Sequence, residues 1–404
     1  MEEGKKWDLI SIASIPLIMT LGNSMLIPVL PAIRSKLGIT SLQVSLLITI
    51  YSAVAIILIP LAGYLSDRFG RKIIIIPSLL ITGAGGLLSG LGAWWLEQSY
   101  TVIMLGRLLQ GVGAAGAFPI VLPLVGDIFK KEDDVSSSLG IVETANTFGK
   151  VLSPILGSAL SLVVWFLPFL AIPVFCIISM LLVLFLVKAP TKNSKEEILP
   201  LAGFLKNIKQ IFKHNGRWLF AIFTIGGISM LVIFGVLFYL SDTLEEVYHI
   251  DGIMKGCILA IPLAFLCLSS FITGRKIGEN MKLMKWITFI GIALVTATLL
   301  LSRLVHSIKI LILLTSVGGV GIGAALPCLD AIITESIEKA QRGTVTSIYS
   351  SMRFIGVAVG PPLASVLAKI SPALMFYTIA AACMIAALVA LFAIKPEAAS
   401  STQS

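Results

Sequence analysis

IIIIPSLLITGAGGLLSGLGA, residues 73–93, contains no charged side chain. Coiled as a helix it reaches about 30 Å, the thickness of the hydrocarbon core of a bilayer. Read outward from this stretch, similar apolar runs recur near 9–33, 43–65, 101–126, 136–160, 164–187, 218–240, 253–274, 284–302, 308–333, 344–368 and 372–394. They predict twelve transmembrane helices. The runs are continuous, dense in Leu, Ile, Ala and Gly, and do not alternate in ten-residue segments, which excludes a closed β-barrel. Composition agrees: the 404 residues are 57% hydrophobic and only 13% charged, outside the range of soluble domains. The expected class is an all-α membrane protein. The run at 9–33 is too long for a signal segment and has no A-x-A site after it, so it is expected to remain as an anchor.

The net charge of +9 is distributed by side rather than by patch. With twelve spans and a cytoplasmic N-terminus, 21 of the 30 Lys and Arg fall in cytoplasmic segments and 6 in outer ones. Arg107, Lys150 and Arg353 lie inside runs. This is the positive-inside bias, and it predicts that both termini are cytoplasmic. It assigns the basic excess to topology, so no nucleic-acid partner is expected. The five cysteines are scattered singly, without metal-ligand spacing, and read as packing residues. The three histidines fall at loops or edges, leaving no His pair or Ser-His-Asp grouping at membrane depth. The chain is expected to be neither an enzyme nor a holder of metal or cofactor.

One long polar connection, KAPTKNSKEEILPLAGFLKNIKQIFKHNGR at 188–217, separates six spans from six. It gives halves at 1–187 and 218–394 with a cytoplasmic tail at 395–404, and its part near 201–213 has the spacing of an amphipathic surface helix. The halves resemble each other. GVGAAGAFP (111–119) matches GVGIGAALP (319–327), and FGKVLSPILGSAL (148–160) matches IGVAVGPPLASVL (355–367), at nearly the same offset. Duplication of this kind builds transporters whose pathway runs at the repeat interface.

Four motifs give the pattern its meaning. GYLSDRFGRKIII (63–75) follows G-x-x-x-D-x-x-G-R-K at a cytoplasmic turn, and LGRLLQGVGAAG (105–116) follows R-x-x-Q-G-x-G in span four. The G-x-G-x-x-G string within the latter has no preceding strand and is not a dinucleotide site. Span five carries G-x8-G-x3-S-P-x2-G from Gly140 through Gly149, Ser153, Pro154 and Gly157, and LGNSMLIPVLPAI (21–33) follows L-G-x5-P-x2-P. Together they resemble the major facilitator superfamily, and within it the bacterial twelve-span drug:proton antiporters. The chain departs from the span-five pattern at Ser153 and Ser158, where glycines are usual.

The resemblance implies two pseudo-symmetric six-helix bundles that expose a midplane substrate alternately to each side. It implies a cytoplasmic latch at Gly63, Asp67, Arg68, Gly70, Arg71 and Lys72, and a role in proton transfer for Arg107. It also implies a gate in which the span-five motif is matched by Gly356, Gly360 and Pro361 in span eleven.

The charged residues in apolar runs are the remaining candidates. Moving an arginine to the bilayer centre costs roughly 2.5–3.5 kcal/mol on insertion scales, so each such group is expected to face protein or water. Glu143 is the first candidate for proton coupling, because hydrocarbon disfavours its charged form; a static ion pair with Arg107, Lys150 or Arg353 is the competing reading. Asp330 is the second. Asn23 either lines the pathway or bonds a neighbouring helix. Arg353, at the repeat position of Asn146, either neutralises an anionic substrate or holds Asp330. Asn146 is a further candidate for the substrate pathway, and Phe118, Phe148, Phe234, Phe238 and Tyr239 are candidates for its walls.

The expected function is proton-coupled efflux of small lipophilic or cationic molecules across a bacterial cell membrane by a monomer. Its expected partners are protons, a small-molecule substrate and the lipid bilayer. Export or symport of one defined solute, such as a sugar, amino acid or lipid, is the alternative.

Overall fold

The computed structural model of the protein describes the backbone of residues 3–129, 132–188, 201–278, 280–305, 307–337 and 339–394. Side chains are described in the same ranges except at 3–4, 132–137, 201–211, 213–215 and 339–342. The expected tail at 395–404, residues 189–200 of the expected central loop, and Lys130, Lys131 and His306 lie outside. Among the described residues there is no strand.

The predicted spans appear as helices, with ends within a few residues of expectation. The first span is interrupted: α1 (Glu3–Ser24) gives way to a 3-10 turn at Ile27–Val29 and then α2 (Leu30–Leu37). Pro28 and Pro31 account for the break, since each lacks a donor and disfavours a helical residue before it. Next come α3 (Ser41–Phe69), α4 (Arg71–Trp95), α5 (Tyr100–Ala117), α6 (Val121–Ile128), α7 (Glu132–Val163) and α8 (Leu167–Leu186). Thr40 opens α3 with a reciprocal cap in which its hydroxyl accepts from Gln43 N while its own N–H donates to the Gln43 side chain.

The second half holds α9 (Leu201–Glu246), α10 (Gly252–Lys276), α11 (Met281–Ser302), α12 (Ile308–Ser336), α13 (Lys339–Ile370) and α14 (Pro372–Ala393). The surface helix expected near 201–213 is continuous with span seven in α9, where no proline interrupts the chain. Eleven of the described helical segments are long and apolar enough to cross a membrane. The twelfth long helix, α7, stands where span five was expected and carries Glu143, Asn146, Lys150 and Ser153.

Packing divides the chain into two compact units, residues 1–198 with 237–260, and residues 199–236 with 261–404. In the first, α4 packs on α5 and α8, α5 on α3, and α1 on α7 and α8. In the second, α11 packs on α12 and α14, and α13 on α14.

The repeat found in the sequence returns as equivalent contacts. A Cβ at Gly111 would overlap the Tyr51 carbonyl of span two, and one at its counterpart Gly319 would lie 2.6 Å from the Pro262 carbonyl of span eight. One at Gly113 would strike Ser78 and Thr82 of span three, and one at Gly321 would strike Gly291 of span nine. The two copies differ at the shared proline. The turn at Phe118–Ile120, around Pro119, splits span four into α5 and α6, whereas α12 runs unbroken through Pro327.

Candidate functional site

Gly70 has φ +104°, a conformation that side chains rarely adopt, and so forms the sharp turn between α3 and α4. The turn brings the basic residues of 63–75 into three different contacts. Arg71 pairs with Asp67, donates from Nε to Asp127 at 3.1 Å, and donates to Ser66 Oγ at 2.8 Å. Ser66 in turn donates to the Gly63 carbonyl at 2.8 Å. Lys72 Nζ donates to the Leu184 and Val187 carbonyls at 2.8 and 2.9 Å, closing the C-terminal end of α8. Arg68 lies over the Phe69 ring, 5.4 Å from its centroid.

The first unit thus ties these helix ends together through Arg71 and Lys72. Half-exposed carboxylates make each such ion pair worth about 0–1 kcal/mol, so its value is in holding geometry. The Asp127 partnership, 56 residues along the chain from Arg71, was not legible in the sequence.

The span-five segment separates into parts. A Cβ at Gly140 would meet nothing within 4 Å, while Gly149 lies against the Leu17 carbonyl and Gly157 against Met25, both on span one. Ser153, one of the two departures from the motif, turns its hydroxyl back to the Gly149 carbonyl at 2.5 Å. The serine therefore adds no polar demand to its surroundings. Pro154 lies inside α7, and its carbonyl faces Gly256 of α10.

Between these glycines sits a polar chain. Half-buried Glu143 accepts from Asn146 Nδ2 at 3.1 and 3.2 Å, through both carboxyl oxygens. Asn146 is 2% exposed, and its Oδ1 accepts from Thr20 Oγ1 at 2.5 Å. Lys150, one turn further, is 5% exposed. Phe148 points away from this chain and is exposed.

Three residues further along span one, a second cluster surrounds Arg107. This arginine has no exposed surface. Its Nε donates to the Leu47 carbonyl at 2.9 Å, and its terminal nitrogens donate to Gln110 Oε1 and Asn23 Oδ1, each at 2.5 Å. The guanidinium stacks over the Tyr51 ring at 4.5 Å. Burial in protein resolves the cost expected for Arg107, and Asn23 bonds a neighbouring helix. All these partners are neutral, and no ion pair among the described residues involves Arg107.

In the second unit Arg353 NH1 stands 3.9 Å from Asp330 Oδ1 and lies over the Tyr349 ring at 5.6 Å. Tyr349 stacks on Phe223 with centroids 6.2 Å apart. The structure thus brings Arg353 to Asp330. Gly356 lies against the Gly227 carbonyl and Gly360 against the Leu231 carbonyl, so α13, with Pro361 inside it, packs on α9 as α7 packs on α1. Of the aromatic candidates, Phe234 and Phe238 are buried, whereas Tyr239 and Phe118 are half-buried, the latter at the break between α5 and α6. Among the described residues no group of three or more His, Cys, Asp and Glu could hold a metal ion.

Comparison with known proteins places this arrangement among characterised transporters. The family profile of the Major Facilitator Superfamily matches residues 12–304 and 282–404. A bacillibactin exporter of Bacillus subtilis (strain 168) is 53% identical over 391 residues, covering 96% of this chain and 97% of that protein. Multidrug resistance protein 1 of the same organism is 27% identical over 367 residues, 89% of each chain. Among solved structures, a bacterial homolog of the human lysosomal transporter Spinster, inward-facing and occupied, superposes with a TM-score of 0.76 at 15% identity over 99% of each chain.

Proposed function

Since the chain belongs to the Major Facilitator Superfamily and is a multi-pass membrane transporter, not an enzyme, we propose that it exports a small molecule in exchange for protons. The observation that carries this reading is the Glu143–Asn146–Thr20 chain. An ionised Glu143 is an acceptor only, which suits the amide donor aimed at it. A protonated Glu143 becomes a donor as well, and the Asn146 N–H loses part of its acceptor. Because Asn146 is held by Thr20, the change is transmitted from span five to span one. A proton can therefore bias the equilibrium between two conformations of the carrier.

The driving force is sufficient. One proton entering across 100 mV supplies about 2.3 kcal/mol, and one pH unit about 1.4 kcal/mol. Asp330, beside Arg353, is the second carboxyl able to take part. The identity with the bacillibactin exporter supports bacillibactin, or a molecule of its kind, as substrate.

Purified protein in proteoliposomes tests the reading. Bacillibactin should accumulate against its gradient when a pH difference is imposed, with protons moving the opposite way in a dye assay. Glu143→Gln should abolish pH-driven accumulation while leaving thermal stability unchanged. Undiminished pH-driven accumulation in that variant removes Glu143 from the mechanism.

A further inference from the structure

We propose that the substrate is carried as an oxygen-centred organic anion, its negative charge set opposite the Arg107–Gln110–Asn23 cluster of the first unit. The inference rests on the export reading above and assigns its substrate class. Three observations carry it.

First, Arg107 is fully buried, and each of its partners is a neutral oxygen or a ring. Its positive charge is solvated but not neutralised. In the low dielectric of a bundle such a charge acts over several ångströms. Second, the Gln110 amide nitrogen is buried without a hydrogen-bond partner. Because Oε1 accepts from Arg107, the unfilled atom is the amide nitrogen, a donor. A buried donor beside an uncompensated cation is a place made for an acceptor. Third, the charges inside spans one to six are Arg107, Lys150 and Glu143, with both cations buried. The sum of these three is positive with Glu143 ionised or protonated, so the interior of the first six spans favours an anion in either state.

An anionic oxygen reaching this cluster would displace the amide oxygen of Gln110 or Asn23 from the guanidinium. Either amide can rotate, and Gln110 then offers its N–H as a second donor to the same group. Carboxylates and other oxyanions fit such a pair of donors, and cations are repelled. The charge of the cargo also sets the voltage response. Export of one monovalent anion for one entering proton moves two charges inward, whereas export of a monovalent cation moves none. Each charge crossing 100 mV changes the attainable accumulation about fifty-fold.

The test compares carboxyfluorescein with rhodamine 123, an anion and a cation on one xanthene core, in proteoliposomes of the full chain. We expect carboxyfluorescein to be moved at least tenfold faster, and its accumulation to rise when a potassium diffusion potential is added to the pH difference. Arg107→Gln should remove the preference, and Arg107→Lys should retain part of it. Rhodamine 123 moved as fast or faster, no movement of carboxyfluorescein, or accumulation indifferent to voltage overturns the inference. These readings come from the unaltered protein, so they hold even if an Arg107 variant does not fold. Bacillibactin assayed alongside separates the two claims: its pH-driven movement keeps the export reading when the anion preference fails, and its absence removes that reading.

Discussion

Thr20 reaches Glu143 only through Asn146. Its hydroxyl holds Oδ1 of the amide, which leaves Nδ2 facing the carboxyl. If this linkage transmits protonation, the two side chains act as one unit. Removing either should then forfeit most of what both supply, since each hydrogen bond contributes about 0.5–1.5 kcal/mol, and up to about 3 kcal/mol toward a charge. We expect Thr20→Val and Asn146→Ala each to slow pH-driven transport several-fold, and the double variant to be no slower than the worse single. A double-mutant cycle with additive losses refutes the linkage. At this scale the sequence disclosed Glu143, Lys150 and Arg107, because a charge in an apolar run is costly and stands out. Thr20 and Tyr51 did not stand out, because hydroxyls are ordinary in membrane helices, and Gln110 was legible only as a position of the span-four motif. Leu47 contributes only its carbonyl, which any residue would supply.

Glycines decide how closely the helices approach. In span five the motif named Gly140, Gly149 and Gly157 together, yet their surroundings differ. A Cβ at Gly157 would overlap the Met25 carbonyl, where the partner is backbone and has little room to yield, while one at Gly140 meets nothing. Gly157→Ala should therefore cost stability, about 1–3 kcal/mol as for an overpacked core. Gly140→Ala should be neutral or stabilising, because alanine is favoured over glycine in a helix by about 0.8–1.0 kcal/mol. Thermal unfolding of the two variants in one detergent checks this, and equal melting temperatures would sink the account of α7 packing on α1. Motif spacing therefore located the element and its packing face. Which of its glycines bears the contact depends on where span one breaks at Pro28 and Pro31, which only the folded chain shows.

At the scale of the whole molecule, the run of apolar segments and the doubled motifs were enough to read the helices and their repeat. The equivalent contacts of Gly111 with Gly319 and of Gly113 with Gly321 follow from that duplication. What stayed hidden was the asymmetry at Pro119 and Pro327, because one proline pattern is compatible with a broken or an unbroken helix. Two of the six cations assigned to the outer side are ion-paired: Arg34 with Asp242 at 3.0 Å and with Glu246, and Lys255 with Glu245. Near the ends of α4 and α7, Trp94 stacks on Trp95 and on Phe166, and Trp165 meets Phe166 edge-on, an aromatic cluster of the kind found at a membrane interface. If the bias orients the chain, 395–404 is cytoplasmic, and exposed Glu97, beside the tryptophans, is outside. Green fluorescent protein fused after Ser404 should then fluoresce and alkaline phosphatase at the same point should be inactive, while phosphatase fused after Gln98 should be active. The reverse pattern would mean that the 21 cations assigned to the cytoplasmic side do not orient this chain.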